Sequence, residues 1–339
     1  MKRAMTFGIL LLLIVSLPIQ LLAQGCEEPS DEEGVQVVGY IQPQFVWGNI
    51  ASDSDEEMTF QFWRARFGLI GVIPYDFSYY FYTEFSPTLG GVKLLDVFIT
   101  YHGFGDLVKL SIGQFKSPFS LEQLTPCHSL YTVLRSRVVT QLAGPIRDMG
   151  FLIFGQYNDL FHYRVGIMNG AGINKNDNNT GKDFVGNAFI TYGPFHVGGS
   201  FRYGKMGTQN QDTKQRYGAE FQFDNDALVV QAEYIWGDDP GEVLSGGCGG
   251  PVRTAAGQKD GYFAQVIYKM ENGFWPVVKY EYYDPQKSVS SDEFATLTVG
   301  FTYFFNDWTR VQVNYLLNDD KSAPDAKDDF LYVQFQVKF

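Results

Sequence analysis

The sequence predicts an all-β protein: a sixteen-stranded antiparallel transmembrane β-barrel with an inward-folded third loop. Three observations predict it. Apolar and polar residues alternate with period two in segments that recur about every 20 residues. Tight turns and long polar connections follow one another in strict alternation. Charge gathers on one parity of the segments and stays off the other.

The N-terminus comes first. Lys2 and Arg3 precede an apolar run from Phe7 to Leu22, and Ala23 stands at a cleavage point, so residues 1–23 read as a secretory signal peptide. A membrane anchor would need about 20 clean apolar residues, and Ser16, Pro18 and Gln20 interrupt this run. Residues 24–34 form a short acidic segment, with Glu27, Glu28, Asp31, Glu32 and Glu33. Residues 35–339 form the barrel, and no apolar run within them is long enough for a membrane helix. The 339-residue chain has a net charge of −12 and is 17% aromatic, with 30 Phe and 21 Tyr. That aromatic excess needs an apolar surface to occupy. The three cysteines, Cys26, Cys127 and Cys248, share no metal-ligand spacing. A bridge between Cys127 and Cys248 is open to an oxidising compartment, and the spacing does not decide it.

Strands are read near 35–47, 59–73, 77–85, 94–102, 107–115, 148–157, 161–169 and 183–192. The rest fall near 195–204, 214–223, 227–236, 261–270, 276–283, 293–304, 308–317 and 329–339. The count is even, as in bacterial single-chain barrels. Pro74-Tyr75-Asp76, Gly193-Pro194, Asp224-Asn225-Asp226 and Phe305-Asn306-Asp307 are tight turns, assigned to the periplasmic side. Gly48 to Met58, Gly170 to Lys182, Gly237 to Asp260 and Asn318 to Asp328 are outer loops.

One strand face carries Trp63, Phe67 and Leu69, then Val108, Leu110 and Ile112. Leu228, Val230, Tyr234 and Trp236 belong to it, as do Leu297, Val299, Phe301 and Tyr303. This is the lipid face, where a Lys or Arg at mid-membrane costs about 2–4 kcal/mol. The opposite parity holds Arg64, Arg66, Lys109, Arg164, Arg202, Arg216, Lys269, Lys279, Arg310 and Lys338. Its acids are Glu84, Asp96, Glu220, Glu233 and Glu281, so the expected interior is more basic than the chain as a whole. The last strand alternates down to a terminal Phe339, which resembles the signal read by the outer-membrane barrel-assembly machinery.

The connection 116–147 is the longest. It carries Phe119, Leu121, Leu124, Leu130, Val133, Val138, Val139 and Leu142, more apolar surface than an exposed loop tip holds. The available wall is the barrel interior, where the loop would act as a constriction. It also brings Lys116, Arg135, Arg137 and Arg147, and rings of Arg and Lys are how anion pores select ions. A structural reading stands beside that one: these cations pair with Glu84, Asp96 or Glu122 and staple the loop down. Lys116 shares the parity of Gln114, on the lipid side, so it is expected to reach the lumen only after the strand breaks near Pro118.

Phe62-Trp63-Arg64-Ala65-Arg66-Phe67-Gly68 resembles the phosphate-selective porin O and P family. So do Gly113-Gln114-Phe115-Lys116-Ser117-Pro118-Phe119, Arg135-Ser136 and Arg147-Asp148-Met149-Gly150. The resemblance implies a trimeric porin of the Gram-negative outer membrane, held in its lipid, passing small anions such as phosphate. Arg64, Arg66, Lys116, Arg135 and Arg147 would then line the pore or its constriction, and Arg137 joins them from the loop's own basic cluster. A general diffusion porin and a plugged structural or enzymatic barrel remain as alternatives. Four scattered histidines give no nucleophile–base pair, no glycine motif cradles phosphate, and no basic stripe suits nucleic acid. No enzyme activity, cofactor or metal is expected.

Overall fold

The computed structural model describes residues 34–48, 57–241, 243–244, 252–253, 255–322 and 328–339. The expected signal peptide and most of the acidic segment lie outside the described residues, as do Cys26 and Cys248. Among these residues eighteen strands follow in chain order. The first eight are β1 (Gln36–Gly48), β2 (Glu57–Ile73), β3 (Phe77–Glu84), β4 (Lys93–Tyr101), β5 (Lys109–Lys116), β6 (Arg147–Tyr157), β7 (Phe161–Met168) and β8 (Asp183–Tyr192). Next come β9 (Phe195–Met206), β10 (Asp212–Asp224), β11 (Leu228–Asp239), β12 (Val243–Leu244) and β13 (Val252–Arg253). The chain ends with β14 (Gly257–Tyr268), β15 (Phe274–Asp284), β16 (Phe294–Phe304), β17 (Thr309–Asp320) and β18 (Phe330–Lys338). β12 and β13 form a separate two-stranded ladder in the loop between β11 and β14; the other sixteen close into one antiparallel barrel.

Closure removes every free edge, so all ladder hydrogen bonds are met without water, which a bilayer requires. The seam pairs β1 with β18 from Tyr40↔Lys338 to Gly48↔Phe330. Phe339 extends it, its N–H donating to Gly39 O at 2.9 Å and its carbonyl accepting from Gly39 N–H at 2.8 Å. The tight turns use left-handed backbone, as at Tyr75 (φ 69°) and Asp76 (φ 64°), whose twist matches the strands they join.

The two faces part as the alternation predicts. Ile112, Tyr234, Trp236, Leu297 and Val299 are exposed on the outer face, whereas Arg202, Arg216, Lys279 and Glu84 are buried on the inner one. Exposed aromatics gather beside the short turns, among them Tyr75, Phe104, Tyr157, Tyr192, Phe305 and Trp308, as in the aromatic girdle of a membrane barrel. Trp63 departs from the expectation. Gln42 pairs with Arg64 and Pro43 with Phe62, so Trp63 is the extra residue of a β-bulge and is only half exposed. The bulge flips parity, and Phe60 (85% exposed) and Phe62 take the outer face before it.

The buried apolar core joins strand residues Tyr40, Phe98, Phe115, Leu152, Val185, Phe263 and Tyr283 to Phe119, Cys127, Val138, Val139 and Leu142 of the third long connection. The inner face is thus partly apolar, not only charged.

Candidate functional site: the third connection and its basic residues

The third connection leaves β5 and returns through β6. Its strand ends hold together as the Lys116↔Arg147 pair, then as Ser117 N–H to Ile146 O at 2.9 Å. Between them lie two short helices, α1 (Leu121–Leu124) and α2 (Arg137–Leu142). Ser120 caps α1, its Oγ accepting from Gln123 N–H at 3.2 Å. Ladder hydrogen bonds are missing along this stretch, so inner-face side chains meet its polar groups instead. Ser200 of β9 accepts from Ser120 N–H at 3.0 Å, and Glu233 of β11 accepts from Glu122 N–H at 2.5 Å. Asn314 of β17 accepts from Val133 N–H at 2.7 Å, and Glu281 of β15 from Arg137 N–H at 2.6 Å. Arg310 and Gln312 of β17 both donate to Leu130 O at 3.1 Å, and Gln336 of β18 donates to His128 O at 3.1 Å. Arg216 of β10 donates to Leu142 O at 3.0 Å, and Arg202 of β9 to Gly144 O.

Five of the six expected site residues are buried in bonded networks. Arg66 pairs with Glu84 at 2.7 Å and donates to Tyr40 Oη at 2.6 Å and Cys127 Sγ at 3.3 Å. Arg147 forms a two-pronged pair with Asp96, at 2.9 and 2.7 Å. Arg64 donates to Gln42 Oε1 at 2.8 Å. Arg135 donates to the carbonyls of Glu122, Gln123 and Thr125 at 3.0, 3.3 and 2.5 Å, and to Cys127 Sγ at 3.2 Å. Lys116 donates to Leu124 O at 2.9 Å and Thr125 O at 3.3 Å, at the C-terminal end of α1, where a cation suits the exposed carbonyls.

Lys116 gets there by a different route from the expected one. The ladder does not break before it; the alternation does. Gly113 takes φ +138°, and beyond it Gln114, Phe115 and Lys116 are all buried. A Cβ at residue 113 would come within 2.3 Å of Val97 O, so only glycine fits.

Arg137 differs from the other five. It is half exposed, its guanidinium lies 4.2 Å from the centre of the Phe294 ring, and it pairs with no carboxylate among the described residues. His128 also belongs to the connection. Burial first, then the charges of Arg310, Lys338, Lys116 and Arg66, hold its imidazole well below the usual range.

The sequence profile of the phosphate-selective porin O and P family matches residues 35–213, more than half of the chain. This chain belongs to that family. Solved structures agree on the fold. An anion-selective porin from Comamonas acidovorans superposes with a TM-score of 0.68 at 13% identity, covering 91% of this chain and 100% of the other. The outer-membrane channel DcaP of Acinetobacter baumannii gives a TM-score of 0.65 at 12% identity, covering 92% and 99%. OmpT of Vibrio cholerae, in a trimer form, gives 0.62 at 14% identity, covering 90% and 99%. Among curated proteins none matches the chain. The porin is therefore an outer-membrane channel of a Gram-negative bacterium.

Several residues of this porin's site were not legible as a site in the sequence. Lys279 is the clearest. It bridges Glu122 at 3.2 Å and Glu281 at 3.3 Å, tying α1 to the wall across 157 residues of chain. Lys259 and Arg216 likewise converge on Asp239, both at 2.7 Å. His162 and His196 both stack on Phe189, with ring centroids 4.6 and 4.3 Å away. Each grouping depends on cross-barrel register that no local pattern encodes.

Proposed function

We propose that this porin is a passive channel preferring small anions, phosphate among them, and that its third connection lies across the lumen as the constriction. The connection's hydrogen bonds to inner-face side chains of β9, β10, β11, β15, β17 and β18 support that position. The single observation that carries the anion preference is Arg137: a cation of the constriction, partly open to water and backed by an aromatic ring instead of a carboxylate. An anion would exchange part of its hydration shell for guanidinium contacts there, weakly enough to leave again. Arg66 and Arg147 have their charge balanced by Glu84 and Asp96, so they act by position. Arg64, Lys116 and Arg135 are buried in hydrogen-bonded networks, and the last two hold the connection in shape. The outer face, apolar all round, suits both lipid and the trimer that the family resemblance implies.

Planar-bilayer recording in a salt gradient tests this. The reversal potential should favour anions, and Arg137→Gln should shift it toward zero. A cation preference in the unmodified protein overturns the reading.

One observation favours a second reading, a lumen shut at rest. Gln42, Arg216, Phe263 and Gln312 lie on four different strands of the inner face and none is more than 1% exposed. Liposome swelling separates the two: an open constriction admits small solutes at once, and a shut one admits none.

A further inference from the structure

A cavity of about 210 Å³ lies between the third connection and the turn joining β16 to β17, at the periplasmic mouth. Tyr131, Trp275, Phe304, Trp308, Arg310 and Lys338 line it. It sits near the opposite end of β16 from Phe294, hence away from Arg137.

Its cations are unusual. Arg310 is 4% exposed, and it donates to two neutral acceptors, Leu130 O and Gln336 Oε1, both at 3.1 Å. It pairs with no carboxylate among the described residues, and its Nε–H has no acceptor among them. A buried guanidinium normally has a carboxylate or phosphate to face, because desolvating it alone is costly. Lys338 stands 5.5 Å over the Trp308 ring and likewise pairs with no described carboxylate. Asp307 lines the same cavity without bonding either cation. Four aromatic rings, Tyr131, Trp275, Phe304 and Trp308, share the wall with neutral polar residues such as Thr302 and Thr309, and Arg310 itself lies 5.9 Å from the Phe304 ring. Two cations call for an anion. Aromatic walls call for a flat apolar body on it, which chloride and phosphate lack.

We propose that this cavity is a binding site for small organic carboxylates with a flat apolar body. The carboxylate would face Arg310 and Lys338, and the body would lie among Trp275, Phe304 and Trp308. The site is independent of the selectivity assigned to Arg137.

Isothermal titration of the folded porin in detergent tests it, with sodium benzoate, benzyl alcohol and sodium phosphate as probes. Benzoate should bind saturably. Benzyl alcohol, which lacks the charge, and phosphate, which lacks the ring, should bind much more weakly. Arg310→Gln should weaken benzoate roughly 10- to 100-fold. Should Arg310→Gln not fold, Lys338→Gln at the rim carries the same comparison, with weakened benzoate binding expected. No saturable benzoate binding, equal binding of benzyl alcohol, or unchanged affinity in the folded variants would overturn the proposal. Benzoate binding in a channel that prefers cations would instead refute the Arg137 reading alone.

Discussion

Replacing Arg147 with Ala tests how the third connection is held. Arg147 and Asp96 are both wholly buried and meet through two bonds, at 2.9 and 2.7 Å. Removing one partner of such a pair strands the other charge in a low-dielectric site, which costs about 3–5 kcal/mol. Replacing both with apolar residues of similar size removes the charge problem altogether. Such exchanges are often neutral or stabilising. Arg147→Ala should therefore destabilise by about 3–5 kcal/mol, and the Asp96→Leu, Arg147→Met double variant should recover to within about 1 kcal/mol of the parent. Urea unfolding in lipid vesicles, followed by tryptophan fluorescence, measures both. A loss below about 1 kcal/mol for Arg147→Ala would show that the pair does not anchor the connection.

Other outcomes follow from the same geometry. Lys279→Met leaves Glu122 and Glu281 buried together without their shared cation, so the same unfolding assay should show a loss of about 3–5 kcal/mol. Arg137→Gln should lower anion selectivity at unchanged stability, whereas Arg135→Ala should lower both, because Arg135 holds three carbonyls of its own segment. Val278→Lys on the outer face should cost about 2–4 kcal/mol in vesicle unfolding. Phe339→Ala removes the terminal aromatic while sparing its seam hydrogen bonds, so outer-membrane yield should fall while the barrel that does form keeps its stability.

Much of the barrel was legible because period-two alternation is a local signal. Leu331 to Phe339 shows its outer and inner positions residue by residue, and the sixteen expected segments correspond to the sixteen barrel strands. The alternation failed where the backbone broke its own period. The bulge at Trp63 and the glycine at 113 each reset which side chains face inward, and a bulge leaves no local mark. β6 is apolar on both faces: Leu152 on the inner face is as apolar as Phe151 and Ile153 on the outer, and it shares one buried cluster with Phe119, Val138 and Leu142 of the third connection. The site was legible in composition and in its candidate acids, Glu84, Asp96 and Glu122, but not in which acid takes which cation. The basic residues could be named from the sequence; that Asp96, Glu84 and Leu124 would claim Arg147, Arg66 and Lys116 depended on strand register and on how the connection folds. The same long-range geometry sets Arg137 against the Phe294 ring, with no carboxylate partner among the described residues.

The position of the third connection can be tested by cross-linking. Val133→Cys and Asn314→Cys, in a background with Cys26, Cys127 and Cys248 replaced by Ser, put one thiol on each side of the contact in which Val133 N–H donates to Asn314 Oδ1 at 2.7 Å. Oxidation in intact outer membranes should join them, giving a denatured chain that runs faster on non-reducing gels and reverts with reductant. Absence of that bond, while a control pair at Val278 and Val299 on neighbouring strands does form one, would contradict a connection seated across the lumen.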